Sequence, residues 1–186
     1  MTQSAFDFLA SRRSVPPKML AAPGPEGPAL RDLLRRAVRV PDHGKMEPWR
    51  LIVLGPQTRA ALQAPLREHA LALGADAAKA DKAADALNSP TIVAVVSAPR
   101  PDTKVPEWEQ VLSAGAVCLS LVNAALADGW GACWLSGPAT AGDFAQVHLG
   151  LSAGEKLVGL VHIGTRTGDV PDRPRPDVGA ITTALP

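Results

Sequence analysis

Two guanidiniums beside a hydroxyl, Arg12-Arg13-Ser14, close the first helical pattern of the chain in the string "SRRS". Such a trio can grip an anion, because Arg offers a planar fork of donors and Ser adds another. Paired arginines at a helix end also occur simply as dipole complements that face water. A second stretch, "RVPDHGKMEPWR" (Arg39 to Arg50), carries two prolines, a histidine, a tryptophan and several charges. Turns between a helix and a strand are normally short and built from Gly, Asn or Asp, so this segment reads as one made to hold something. "KVPEWEQ" (Lys104 to Gln110) reads as a helix start that Trp108 anchors. In "GWGACWLSGP" (Gly129 to Pro138) the GxG follows a helix and precedes a strand, the reverse of the order a dinucleotide loop requires, so it reads as a helix stop.

Other chemistries find little support. The chain has no Walker A pattern and no GxSxG elbow. His43, His69, His148 and His162 lack ligand spacing, and Cys118 and Cys133 lie in apolar runs without CxxC, which predicts buried free thiols. With 19 Lys+Arg against 18 Asp+Glu, no face collects positive charge, so no nucleic-acid partner is expected. The first residues, "MTQSAFDFLASRRS", lack the charged flank, apolar run and cleavage site of a signal peptide, and a cytoplasmic location is expected.

The elements that must position these residues follow from periodicity. Ser4 predicts an N-cap for a short helix through Phe6, Leu9 and Ala10, ending at Ser14, and "PPKMLAAPGPEGP" predicts a connector. A helix is predicted from Ala29 to about Val38, a strand over "LIVLG", a helix capped by Thr58 and running to about Leu73, and a polar helix over "DAAKADKAADAL". "TIVAVVSA" does not alternate, which predicts a strand buried on both faces. Glu107 to Ala127 predicts the longest helix, with acids in its first turn and Gly129 as its stop. Its uncharged part is shorter than the ~20 residues a bilayer requires and contains Asn123, so a buried core helix is expected and no membrane contact. A strand over "GACWL", a helix from about Gly142 to Leu149, a strand over "KLVGLVHIG" and a Pro-rich tail complete an α+β or α/β order.

Taken together and in this order, "SRRS", "RVPDHGKMEPWR", "KVPEWEQ" and "GWGACWLSGP" resemble the FMN-dependent nitroreductase superfamily, and most nearly its small bacterial NAD(P)H nitroreductases of the YdjA type. The resemblance implies an α+β fold with a central, mostly antiparallel sheet flanked by helices. It implies a single domain over 1–186, in an interlocked homodimer whose C-terminal arm, about 165–186, wraps the partner. FMN would sit at the subunit interface: Arg12, Arg13 and Ser14 at its phosphate and ribityl end, Trp134, Leu135 and Ser136 lining it, and Arg39 and His43 reaching it from the opposite chain. NAD(P)H would reduce the flavin, and a nitroaromatic, quinone or similar electron-poor acceptor would reoxidise it in ping-pong alternation, with no side chain as obligatory acid or base. A flavin carrier or sensor without turnover is the alternative in another class. The chain departs from the family pattern in two places. Prolines follow the RRS motif where relatives often carry another Arg, leaving Lys18 or Arg166 to complete the phosphate grip. Leu135 stands where close relatives have Arg.

Overall fold

The computed structural model describes residues 4–101 and 103–185. Ser4 caps α1 (Ala5–Ser11) as its side-chain oxygen accepts the Asp7 amide at 3.1 Å. β1 (Leu20–Ala21), α2 (Gly27–Ala37), β2 (Trp49–Leu54), α3 (Pro56–Ala72) and α4 (Ala77–Asp85) follow. The second half runs β3 (Thr91–Ser97), α5 (Glu107–Ala127), β4 (Gly131–Leu135), α6 (Phe144–Leu149) and β5 (Lys156–Arg166).

Every strand pair is antiparallel. The sheet runs β2-β3-β5-β4, and β1 pairs with the last residues of β5. Alternation along β3 divides the core in two. Val93 and Val95 join Val161 and Ile163 of β5 beneath α2 and α5, among them Leu33, Val117 and Leu121. Ile92, Ala94 and Val96 join Leu160 on the opposite face with Leu62 and Leu66 of α3 and Phe144 of α6. Each fully buried aliphatic side chain in these layers contributes ~1.5–3 kcal/mol. With helices on both faces every residue of β3 is buried, as its continuous apolar run predicts.

The long α5 has the predicted bounds. It ends where Gly129, at φ 91°, takes the left-handed stop that a glycine tolerates best. Its inner face packs on the sheet, while Trp108, Leu112 and Leu119 remain exposed. Trp108 is thus mostly exposed among the described residues, where a helix anchor would be buried.

Several local expectations shift. Thr58 is not a cap: the cap of α3 is Gly55, three residues earlier, with Pro56 at a position where its missing N–H is harmless. Proline in the first turn likewise carries α2 back to Gly27, whereas α6 begins at Phe144. Trp49 opens β2 and packs part-buried against the core, which anchors that strand. β1 was not foreseen, because two residues have no period and Leu20–Ala21 is a strand only through its pairing with Arg166 and Thr165.

Candidate functional site

The N-terminal corner is fixed by Val15. Its side chain is fully buried and its N–H donates to the Ala132 carbonyl at 2.9 Å, which lays Arg12-Arg13-Ser14 beside β4. Arg12 donates from Nη2 to Ser14 Oγ at 3.3 Å, but its buried Nε has no partner. Burial, then the charges of Arg175, Arg13 and Arg173, push the Arg12 guanidinium pKa below its ordinary value. The tail supplies Arg173 and Arg175. Arg13 Nε donates to the Pro171 carbonyl at 3.1 Å and lies 3.9 Å from Asp172, which also pairs with Arg175 at 2.6 Å. Among the described residues, the ion pairs of this corner all run to Asp172. Arg13, Arg173 and Arg175 thus act on Arg12 while one carboxylate, Asp172, pairs with two of the four, an electrostatic excess that an anion would neutralise.

Arg173 and Arg175 are the bases that motif reading missed. The signal was the alternation in "DRPRP", yet nothing local says which part of the molecule that segment meets. Of the two expected substitutes, Arg166 is engaged by Asp169 at 2.6 Å and Lys18 is exposed.

On the β4 side, Trp134 lies in a slot between two glycines. Its indole N–H donates to the Val158 carbonyl at 3.3 Å, where the β3–β5 register shifts. A Cβ on Gly159 would lie 2.5 Å from Trp134 Cδ1 and 2.7 Å from the Leu135 carbonyl oxygen, and one on Gly115 would be 3.9 Å from the far edge of the ring. These glycines let the indole lie close against β5 and α5. Leu135 and Ser136 follow it on the exposed end of the strand.

The loop between α2 and β2 is held from within. Asp42 accepts the Met46 and Glu47 amides at 3.0 and 2.9 Å through its two carboxylate oxygens. Lys45 and Glu47 both adopt positive φ, 53° and 46°, a conformation that non-glycine residues keep only where the surroundings enforce it. Ser113 Oγ donates to the Pro41 carbonyl at 2.5 Å, and His43 Nδ1 is 2.7 Å from Glu109 Oε2. Arg39 is exposed. Among the described residues, no hydrogen bond or ion pair joins Arg39 or His43 to Arg12, Arg13 or Ser14. The predicted residues thus form two groups within one chain.

Cys118 and Cys133 are buried and free, and burial pushes both thiols up to about 12. They are poor nucleophiles at neutral pH.

An antiparallel sheet between helix layers, with an arginine corner against β4 and a constrained loop on α5, defines the class: the chain belongs to the Nitroreductase family, whose model matches residues 9–165. Among individual proteins, it is 37% identical over 162 residues to YdjA of Escherichia coli K12, assigned as an NAD(P)H nitroreductase, covering 87% of each chain. A Haemophilus influenzae protein assigned the same way is 34% identical over 163 residues, 87% of this chain and 88% of its own. In structure, the chain is similar to a nitroreductase-like family protein from Bacillus cereus, with a TM-score of 0.79, 22% identity, and 100% and 97% coverage. It is also similar to NfnB from Sphigopyxis sp. strain HMH, described as an FMN and NADPH-dependent nitroreductase, with a TM-score of 0.76, 18% identity, and 98% and 99% coverage. At such identities the structural likeness concerns the fold.

Proposed function

We propose that this chain is an FMN-dependent oxidoreductase that takes hydride from NAD(P)H and delivers two electrons to a nitroaromatic, quinone or similar electron-poor acceptor. The observation that carries the cofactor assignment is the buried, partnerless Nε of Arg12 within a cluster of arginines. A buried donor without a partner costs ~1–3 kcal/mol, and a phosphate would satisfy it while neutralising its neighbours. Arg12, Arg13 and Ser14 would hold that phosphate, with Arg173 and Arg175 in place of the missing motif arginine. Trp134, Leu135 and Ser136 would border the flavin. When bound, FMN supplies the hydride chemistry, and the protein contributes binding, orientation and charge.

The working form is a cytoplasmic homodimer of single-domain subunits, in which Arg39 and His43 of one chain complete the site of the other and the C-terminal arm, which leaves β5 after Arg166 and meets its own Arg13 at Pro171 and Asp172, reaches the partner beyond Arg175. Three exposed apolar surfaces support the dimer. No residue of α1 is buried, and its Phe6 and Leu9 face outward. The exposed Trp108, Leu112 and Leu119 line α5, and Val178, Ile181 and Leu185 lie open along the tail. Isolated apolar side chains on a surface need no explanation, but contiguous stripes of them mark an interface.

The test is anaerobic. Purified yellow protein should bleach with NADPH or NADH and regain its colour when a quinone or nitroaromatic is added, with parallel-line kinetics in both substrates. Colour that survives both nicotinamides would refute the reductase and leave a carrier, and failure to take up FMN would refute the cofactor assignment.

A further inference from the structure

We propose that Glu109 is a positioning residue for His43: its carboxylate accepts the Nδ1–H and so turns Nε2 outward as the atom that meets the flavin. The inference rests on the reading of His43 as a flavin contact. An ionised carboxylate can only accept, so the proton shared across the 2.7 Å contact belongs to Nδ1, and Nε2 of the neutral ring keeps its lone pair. An outward acceptor of this kind suits a hydroxyl or imide N–H donor, and FMN carries both.

The surrounding frame makes this a fixed orientation. Glu109 and Ser113 stand one turn apart on α5. Ser113 holds the loop backbone at Pro41 while Glu109 holds the ring at His43. On the loop's other side, Asp42 ties down the amides of Met46 and Glu47 and enforces the two left-handed residues. The imidazole is 64% exposed, whereas the carboxylate is 30% exposed. The ring is therefore open to a ligand, and Glu109 acts through it.

Two measurements test the proposal. In 15N-histidine-labelled apoprotein at slightly alkaline pH, with His43→Gln identifying the signal, the His43 ring should appear as the Nδ1–H tautomer. Glu109→Ala should convert it to the Nε2–H form, and Glu109→Gln, which keeps an acceptor oxygen in place, should retain the wild-type form. In FMN titrations followed by flavin fluorescence, Glu109→Ala should raise Kd about fivefold, and the same change in a His43→Ala background should add nothing further. Ring signals unmoved by Glu109→Ala would overturn the proposal without touching the flavin assignment. A Kd raised by His43→Ala but not by Glu109→Ala would also overturn it. If His43→Ala leaves Kd unchanged, the placement of His43 at the flavin falls instead.

Discussion

Gly159→Ala puts the seat of Trp134 under direct test. The new methyl would lie 2.5 Å from Trp134 Cδ1 and 2.7 Å from the Leu135 carbonyl oxygen. The indole can swing away only by giving up its hydrogen bond to the Val158 carbonyl. The Leu135 oxygen cannot move without distorting β4, which the ladder with β5 holds in register. Overpacking costs ~1–3 kcal/mol and a lost hydrogen bond ~1 kcal/mol, so the expected destabilisation is ~2–4 kcal/mol. For a chain of this size that lowers Tm by about 5–15 °C. Thermal melts of apoprotein read the stability, and FMN titration reads whether a displaced indole also disturbs the proposed flavin border. Repeating the substitution in a Trp134→Ala background separates the two contacts: with the indole gone only the Leu135 clash remains, so the cost should fall by at least ~1 kcal/mol. A Gly159→Ala protein as stable as wild type, or one whose cost is the same with and without the indole, would refute the packing described for this slot.

Arg12→Ala should weaken FMN binding by about 10- to 150-fold, the range of one or more charge-assisted hydrogen bonds. Because it removes a buried donor without a partner and relieves repulsion from Arg13, Arg173 and Arg175, apoprotein stability should hold or rise; a loss in both measurements would point to a structural role. Arg175→Ala should weaken FMN in the same direction and reduce the salt dependence of binding, which titrations at two ionic strengths would show. His162, buried and held by Ser89 at 3.1 Å, has its pKa lowered from 6.5 to about 4, chiefly by burial. The folded protein then binds fewer protons than the unfolded chain, so its contribution is complete above 6.5 and declines as pH falls toward 4, by ~3 kcal/mol. Urea melts across this window should show the decline in wild type and a smaller one in His162→Gln. Both thiols should resist a disulfide reagent in the native state and react on unfolding; rapid native labelling would contradict their burial.

Local patterning determined most of the elements. An apolar run without alternation announced β3, acids in the first turn and a glycine after the last bounded α5, and the thiols could be placed inside from their neighbours alone. Motif order also carried the family, because spacing along the chain survives as spacing between elements. Tertiary structure decided what depends on distant partners. Leu20–Ala21 became a strand only by meeting the end of β5, and Arg173 and Arg175 joined Arg12 only because the tail returns to the first helix. A register shift in β5 and two glycines on different elements created the seat for Trp134, and α5 brought Glu109 to His43. Periodicity reports which face of an element is buried, since that preference is written every two or three to four residues. Which side chains finally meet is set by the packing of whole elements, and no short window of sequence contains that information.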